Sequence, residues 1–334
     1  SVENIKKLID TMSGAGFTHL ELAVGNDGMR FLLDDMSLTV NGTTYTSAKI
    51  KEGIQAGNKT YYNEPGGKNE LTEAEMDEII SYAFGKGIEI IPLINTPGHM
   101  DSIQNCIENA TGLTNIAYAS SDRTIDVTNS TAVAFTKAFL QKYITYFASK
   151  GCTVFNMGAD EYANDKLSSG GMGFGNLIST GKYGYFVTYV NEVAKMIEDA
   201  GMRPMAFNDG IYYNRQISYG TFDNNILISY WSNGWSGYSP AGSSFLRNKG
   251  FDLVNTNGSY YWVLGKSDAQ CSASKASGFT YTAFPDGTIS DPAGSMFAIW
   301  CDYPGADTDT NVIANTQAVV TAFGGALPER AKQM

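Results

Sequence analysis

Histidine is nearly missing from this chain: 334 residues include only His19 and His99, too few for an imidazole-built metal site. The four cysteines, Cys106, Cys152, Cys271 and Cys301, stand far apart, without C-x-x-C or Cys/His ligand spacing, so no zinc is expected. Cys152 and Cys301 fall in apolar strand-like runs and read as buried thiols; a disulfide in a secreted protein is the alternative. Positive charge is also short. Lys and Arg number 23 against 34 Asp and Glu, a net charge of −11, and such a surface repels phosphates and argues against nucleic acid as a partner. No apolar run reaches the ~18 residues of a membrane span, and no signal peptide is visible. The chain opens on Ser1 rather than Met, inside a helix-like pattern, which points to processing or truncation.

Apolar and aromatic side chains, in contrast, are plentiful. Hydrophobic residues at 43% suffice for a large core. Aromatics at 12%, with 20 Tyr and four Trp, fill cores, but flat amphipathic rings are also what sugar faces pack on. The apolar positions fall into a recurring phrase of helix, glycine and strand. Val2, Ile5, Leu8, Ile9 and Met12 recur at helical spacing up to Ser13-Gly14-Ala15-Gly16, and a strand follows over 17–24. The phrase returns before strands at 88–95, 153–157, 204–207 and 251–254, each preceded by a glycine-bearing turn. Further strands are expected at 226–231 and 296–301, with a closing helix over 312–323. A capping box at Thr72-Glu73-Ala74-Glu75 opens one helix, and others are expected over 130–149 and 183–200.

Apolar strands alternating with helices imply a parallel sheet covered by helices. An open doubly wound sheet would carry a glycine-rich phosphate loop, which Gly25-Asn26-Asp27-Gly28 does not match. The reading is therefore α/β, a single (β/α)8 TIM barrel over 1–334. Only seven strands are counted where eight are needed, so the first is expected upstream of Ser1. The chain alone should then be poorly soluble or of low stability, because two strand edges lie unpaired.

In such a barrel, chemistry sits at the C-terminal strand ends. Those ends carry Asn26-Asp27, Asn95 through His99, Asp160-Glu161, Asn208-Asp209, Trp231, Asn255 and Asn257 with Tyr260-Tyr261, and Trp300-Cys301-Asp302. Acids, amides and aromatics gather with no Ser-His pair and no metal cluster, so neither a metal nor a cofactor is called for. Carboxylates that move protons and rings that hold a sugar fit glycoside hydrolysis. The plain alternatives are a solvated acidic loop at 160–161 and core-filling tryptophans.

Phe155-Asn156-Met157-Gly158-Ala159-Asp160-Glu161, Thr96-Pro97-Gly98-His99 and Ile299-Trp300-Cys301-Asp302 resemble signatures of glycoside hydrolase family 20, the β-N-acetylhexosaminidases. Val24 to Gly28, Glu161 to Asp165 and Phe207 to Asn214 resemble the streptococcal-type surface exo-β-N-acetylglucosaminidases within it. The resemblance implies a retaining reaction in which the substrate's 2-acetamido oxygen is the nucleophile, an exception to the two-carboxylate scheme. It implies Glu161 as general acid and base, Asp160 as acceptor of the acetamido N–H, and Tyr261, or the adjacent Tyr260, as donor to the acetamido oxygen. Trp231 and Trp300 would wall the sugar pocket, Asp302 would take a hydroxyl near C4 or C6, and His99 with Asp27 would tune Glu161. Asn208 and Asp209 join the binding set, and Trp235 and Tyr212 would shape the leaving-group side. The implied partners are N-acetylglucosamine-terminated glycans, and the implied location is secreted or cell-surface. Two departures stand out: no residue corresponds to the family's substrate-binding Arg on the first strand, and Asp302 replaces the usual Glu. Release of a disaccharide, as by a lacto-N-biosidase, and a catalytically impaired sugar-binding fragment are the competing readings. The segment 265–294 is expected to be an excursion that could cap the site.

Overall fold

The computed structural model describes residues 1–62, 70–166 and 172–328. Seven parallel strands form the central sheet: β1 (His19–Asn26), β2 (Glu89–Thr96), β3 (Val154–Gly158), β4 (Arg203–Phe207), β5 (Leu227–Tyr230), β6 (Leu253–Asn255) and β7 (Gly294–Ser295). Each pairs with its neighbour in chain order, from β1 to β7. An antiparallel hairpin to Gly28–Met29 finishes the β1 edge. The sheet curls as a half-barrel, an α/β arrangement of the TIM type, and among the described residues β1 and β7 do not pair with each other.

Alternation along the strands makes two cores. Ile91, Val154, Met205, Leu227 and Val254 point to the inside of the curl and form its own apolar layer. The opposite faces meet helices, as where Phe155 packs edge-on against Phe147, centroids 6.3 Å apart. The helices are α1 (Val2–Gly14), α2 (Ser47–Tyr62), α3 (Glu73–Gly85), α4 (Asp101–Thr111), α5 (Ser130–Ser149), α6 (Phe174–Ser179), α7 (Tyr183–Asp199), α8 (Ser243–Asn248), α9 (Ala273–Ala276) and α10 (Asp309–Ala326). Their starts are written in the sequence. The capping box of α3 is complete: Glu75 N–H donates to Thr72 Oγ1 at 3.1 Å and Thr72 N–H to Glu75 Oε1 at 3.0 Å.

Two expectations are corrected. The strand expected at 296–301 divides. Gly294–Ser295 enters the sheet beside β6, and the chain then swings so that Ile299–Trp300 pairs with Trp262–Val263 in a separate ladder. That swing takes Cys301 out of the apolar run: it is exposed, while Cys152 is buried, and all four cysteines are free thiols. The segment after β6 divides its contacts: Gly265, Lys266 and Asp268 line the cleft, while Cys271, Ala276 and Phe279 pack against α10. Phe323 of α10 joins this cluster to the barrel, 4.5 Å from Phe279 and stacked 5.9 Å from Phe17. Among the described residues, no helix is long and apolar enough to cross a membrane.

Candidate active site

The C-terminal ends of the strands open into a cleft of about 1370 Å³. Its acid pair follows β3 directly, on a backbone that is unusual there. Gly158, Ala159 and Glu161 have φ of +78°, +64° and +45°, and beside them Asp27 and His99 have +63° and +51°. Non-glycine residues at positive φ cost free energy and persist only where neighbours hold them. Here Ala159 N–H donates to Thr96 O at 3.0 Å and to Asn95 Oδ1 at 3.1 Å, and Glu161 N–H to Asp209 Oδ2 at 2.9 Å. Asp27 N–H donates to His99 O at 2.7 Å.

The two acids differ in environment. Asp160 is 8% exposed and accepts from Asn95 Nδ2 at 2.6 Å. Burial pushes its carboxyl up to about 7, the charge of His99 opposing and those of Asp209 and Glu161 adding. Glu161 is more open, with its side chain 22% exposed. Behind them, His99 Nδ1 is 2.8 Å from Asp27 Oδ1, and Nε2 is 3.4 Å from Glu161 Oε1 and 3.7 Å from Asp160 Oδ2. Burial disfavours a charged ring there, but the carboxylates of Asp27 and Asp160 and the bonds to Asp27 and Glu161 outweigh it, so His99 is held protonated well above its ordinary range.

His99, Asp160 and Glu161 place ligand atoms within 4.8 Å of one another. His99 Nδ1 is already engaged by Asp27, which leaves Nε2 as the ring nitrogen that faces the two acids.

Aromatics form the walls. Trp231 and Tyr261 stack at 5.8 Å and 7°, Tyr261 meets Trp300 edge-on at 6.0 Å, and Trp235 stands 6.2 Å from Trp231. Burial first, then the charges of Asp160 and Glu21, keep the Tyr261 hydroxyl protonated well above its usual range, a standing donor. Asp302 lines the cleft with Lys266 Nζ 3.8 Å from its carboxylate, and burial raises its carboxyl.

The structure separates the other candidates from this wall. Tyr260 turns away, 4.9 Å from Phe279 in the α10 cluster, which leaves Tyr261 as the tyrosine in the cleft. Asn208 and Asp209 are fully buried beneath it. Asn208 Oδ1 accepts from Trp231 N–H at 2.9 Å. Asp209 accepts from Trp231 Nε1 at 3.0 Å and from the Tyr238 hydroxyl, so both hold the tryptophan rather than face a ligand. Tyr212 is likewise buried outside the cleft, against Phe222, Phe245 and Phe251. Sequence reasoning passed over Arg123, Asn164 and Lys266, which line the cleft. Arg123 lies on a loop between helices, where no spacing marks it, and Asn164 falls in the stretch 161–165 that carries the resemblance, without a chemistry of its own to single it out.

The catalytic-domain model of glycosyl hydrolase family 20 matches residues 1–292. A solved structure of the pneumococcal virulence factor StrH is 38% identical with a TM-score of 0.89, over 98% of this chain and 81% of that one. A structure from work on the tandem catalytic modules of StrH, described as a pneumococcal exo-β-D-N-acetylglucosaminidase, is 37% identical at TM-score 0.90, over 99% and 81%. Dispersin B shares the fold at TM-score 0.70 and 23% identity, over 97% of this chain and 94% of that chain. The lacto-N-biosidase of Bifidobacterium bifidum is 28% identical over 204 residues, 57% of this chain and 17% of that protein's length. A family match that runs through six of the seven parallel strands and through the whole Asp160-Glu161 region shows that this chain belongs to glycosyl hydrolase family 20, the hexosaminidase family.

Proposed function

We propose that this protein removes terminal β-linked N-acetylglucosamine from glycans, with retention and with the substrate's own acetamide as nucleophile. One observation carries this reading. Asp160 and Glu161 both approach the same atom, His99 Nε2, at 3.7 and 3.4 Å, so they stand side by side. An acid and a protein nucleophile must instead flank the glycosidic bond. With both carboxylates on one side, this placement supports a nucleophile supplied by the sugar itself.

Glu161 gives its proton to the leaving oxygen as the acetamido oxygen bonds to C1 and the C1–O bond breaks, leaving an oxazolinium ion. Asp160 accepts the acetamido N–H, and the cation forming beside it favours its ionised state. Tyr261 donates to the acetamido oxygen, and Trp231 and Trp300 hold the sugar. Glu161 then takes a proton from water, which adds to C1 and reopens the ring. Asp302 accepts a sugar hydroxyl, either directly or through water. StrH is described through N-glycan recognition and hydrolysis, which supports glycoprotein glycans as substrates and action outside the cell or at its surface.

The test is hydrolysis of a chromogenic N-acetylglucosaminide. Glu161→Gln should lose ~10²–10⁴ in turnover of a poorly activated substrate, the usual worth of a general acid, and Asp160→Asn a comparable factor. Full activity in either variant overturns the assignment. Faster release of a chromogenic lacto-N-biose would favour the disaccharide reading instead, and binding of a thiazoline analogue without any turnover would favour a sugar-binding role.

A further inference from the structure

Arg123 reaches the cleft from the loop between α4 and α5, not from a strand end. Its Nη1 lies 3.9 Å from Asp27 Oδ1 and donates to Asn164 Oδ1 at 3.4 Å, and its Nη2 lies 3.6 Å from Asp101 Oδ2. Asp27 Oδ1 is the same atom that faces His99 Nδ1. Asn164 belongs to the turn that carries the acid, its N–H donating to Glu161 O at 3.1 Å. The guanidinium therefore touches both supports of Glu161: the Asp27–His99 pair behind its carboxyl and the turn beneath its backbone.

The rest of the loop grips the same turn. Ala163 N–H donates to Thr124 Oγ1 at 3.1 Å, Tyr162 Oη donates to Ile125 O at 2.7 Å, and Asp165 accepts from Ser121 Oγ at 2.6 Å and Asp122 N–H at 3.0 Å. Glu161 and Ala163, at φ of +45° and +60°, are each held in a conformation that costs free energy. A turn under that strain keeps its shape only while such contacts hold it.

We propose that Arg123 is a positioning residue for proton transfer by Glu161, locking the Asp27–His99 pair and the Glu161 turn into one rigid unit. The inference rests on the general-acid role proposed for Glu161. A general acid acts within hydrogen-bond reach of the leaving oxygen, and a misplacement of ~1 Å costs about 10²-fold. A cation in a sugar cleft could otherwise bind a substrate hydroxyl, but here the charge is directed at Asp27 and Asp101, and the hydrogen bond goes to Asn164.

Two substrates separate these roles. Dinitrophenolate departs from its N-acetylglucosaminide without a proton, whereas methylumbelliferone, a weaker acid, gains more from protonation as it leaves. Arg123→Ala should lower kcat/KM, which reports the leaving-group step and not the later attack of water, by about 10- to 100-fold on the methylumbelliferyl substrate and by less than about 3-fold on the dinitrophenyl substrate. Arg123→Lys, which restores the charge but not the planar fork, should fall between, and Asn164→Ala should move the ratio of the two rates in the same direction. That ratio does not depend on how much of a variant folds. Equal losses on both substrates, or a rise in KM alone, would overturn the proposal. Glu161→Gln run alongside keeps the two readings apart: if it retains the methylumbelliferyl activity both fail, and if it loses that activity while the Arg123→Ala ratio stays at the wild-type value, only the present one fails.

Discussion

A Cβ added to Gly158 would sit 2.0 Å from Asn95 Oδ1 and 2.8 Å from Asn95 Cα, on a backbone at φ +78°. The space is taken because the Asn95 side chain crosses there to reach Asp160, while its oxygen holds Ala159 N–H. Gly158→Ala therefore strains the backbone and displaces the group that orients the buried acid. The steric part alone should cost about 1–3 kcal/mol of stability, read as a lower melting temperature. Turnover should fall by more than the unfolded fraction explains, since Asp160 loses its 2.6 Å donor. Wild-type turnover in a folded Gly158→Ala protein would show that Asn95 does not hold Asp160 in place. Part of this was legible in the sequence: Gly158 before Asp160-Glu161 marks a strand end with little bulk. Asn95 was read only as a strand end, because nothing in a one-dimensional pattern says that it crosses to the next strand.

At the scale of elements, α2 and α4 pack so closely that Gly53 and Gly57 are required at their crossing. A Cβ at Gly57 would lie 2.6 Å from Ser102 Cα, and one at Gly53 would lie 2.9 Å from Cys106 Cα. The crossing matters for the site because Asn58, next in α2, accepts from Met29 N–H at 2.9 Å and donates to Met29 O at 2.7 Å, and Ser102 Oγ donates to Asn58 Oδ1 at 2.6 Å. It thus pins the hairpin that bears Asp27. Helix propensity alone would make Gly57→Ala stabilising by ~1 kcal/mol. The clash is with backbone, which cannot swing aside, and overpacking of about 1–3 kcal/mol should win. A chemical-denaturation midpoint above wild type would show that the helices separate easily. These two glycines interrupt the apolar period of α2, by which α1, α3, α5 and α7 are recognised, whereas α4 carries Ile103, Cys106, Ile107 and Ala110 at helical spacing. Most strands were legible for the converse reason, being short apolar runs behind a glycine turn. The last strand was misplaced because 296–301 is as apolar as a barrel strand but pairs with Trp262–Val263 instead. For the cleft, the parallel sheet collects strand ends at one mouth, so Asp27, His99, Asp160, Glu161, Trp231, Tyr261, Trp300 and Asp302 could be listed before they were seen together. The inward or downward turn of Tyr260, Asn208 and Asp209 depends on side-chain direction, which spacing does not encode.

Across the whole molecule, the inside of the curled sheet grades from an apolar layer to a column of acids. Above Val154 and its neighbours, Glu21 of β1 accepts from Asn156 Nδ2 at 2.7 Å, and Asn156 Oδ1 accepts from Gly158 N–H at 2.8 Å, one strand position below the acid pair. Burial raises Glu21 to about 7, its bond from Asn156 opposing. Burial likewise raises Asp160 to about 7, and burial with the Glu161 charge raises Asp209 to about 6. An acid whose folded pKa exceeds its unfolded value of roughly 4 binds its proton more tightly in the native state. Its stabilising contribution is complete below about pH 4 and is lost as the pH rises through the folded value. The protein should therefore lose stability between about pH 5 and 8, where a typical domain is near its best. Glu21 isolates the effect because it lies outside the proposed proton transfer. Glu21→Gln keeps an oxygen for Asn156 and resembles the protonated acid, so its melting temperature should nearly match wild type at about pH 4, exceed it by a margin that grows up to about pH 7, and hold that margin above. A margin independent of pH would mean that Glu21 ionises as an ordinary carboxylate, and that the inside of the sheet is wetter than its packing implies.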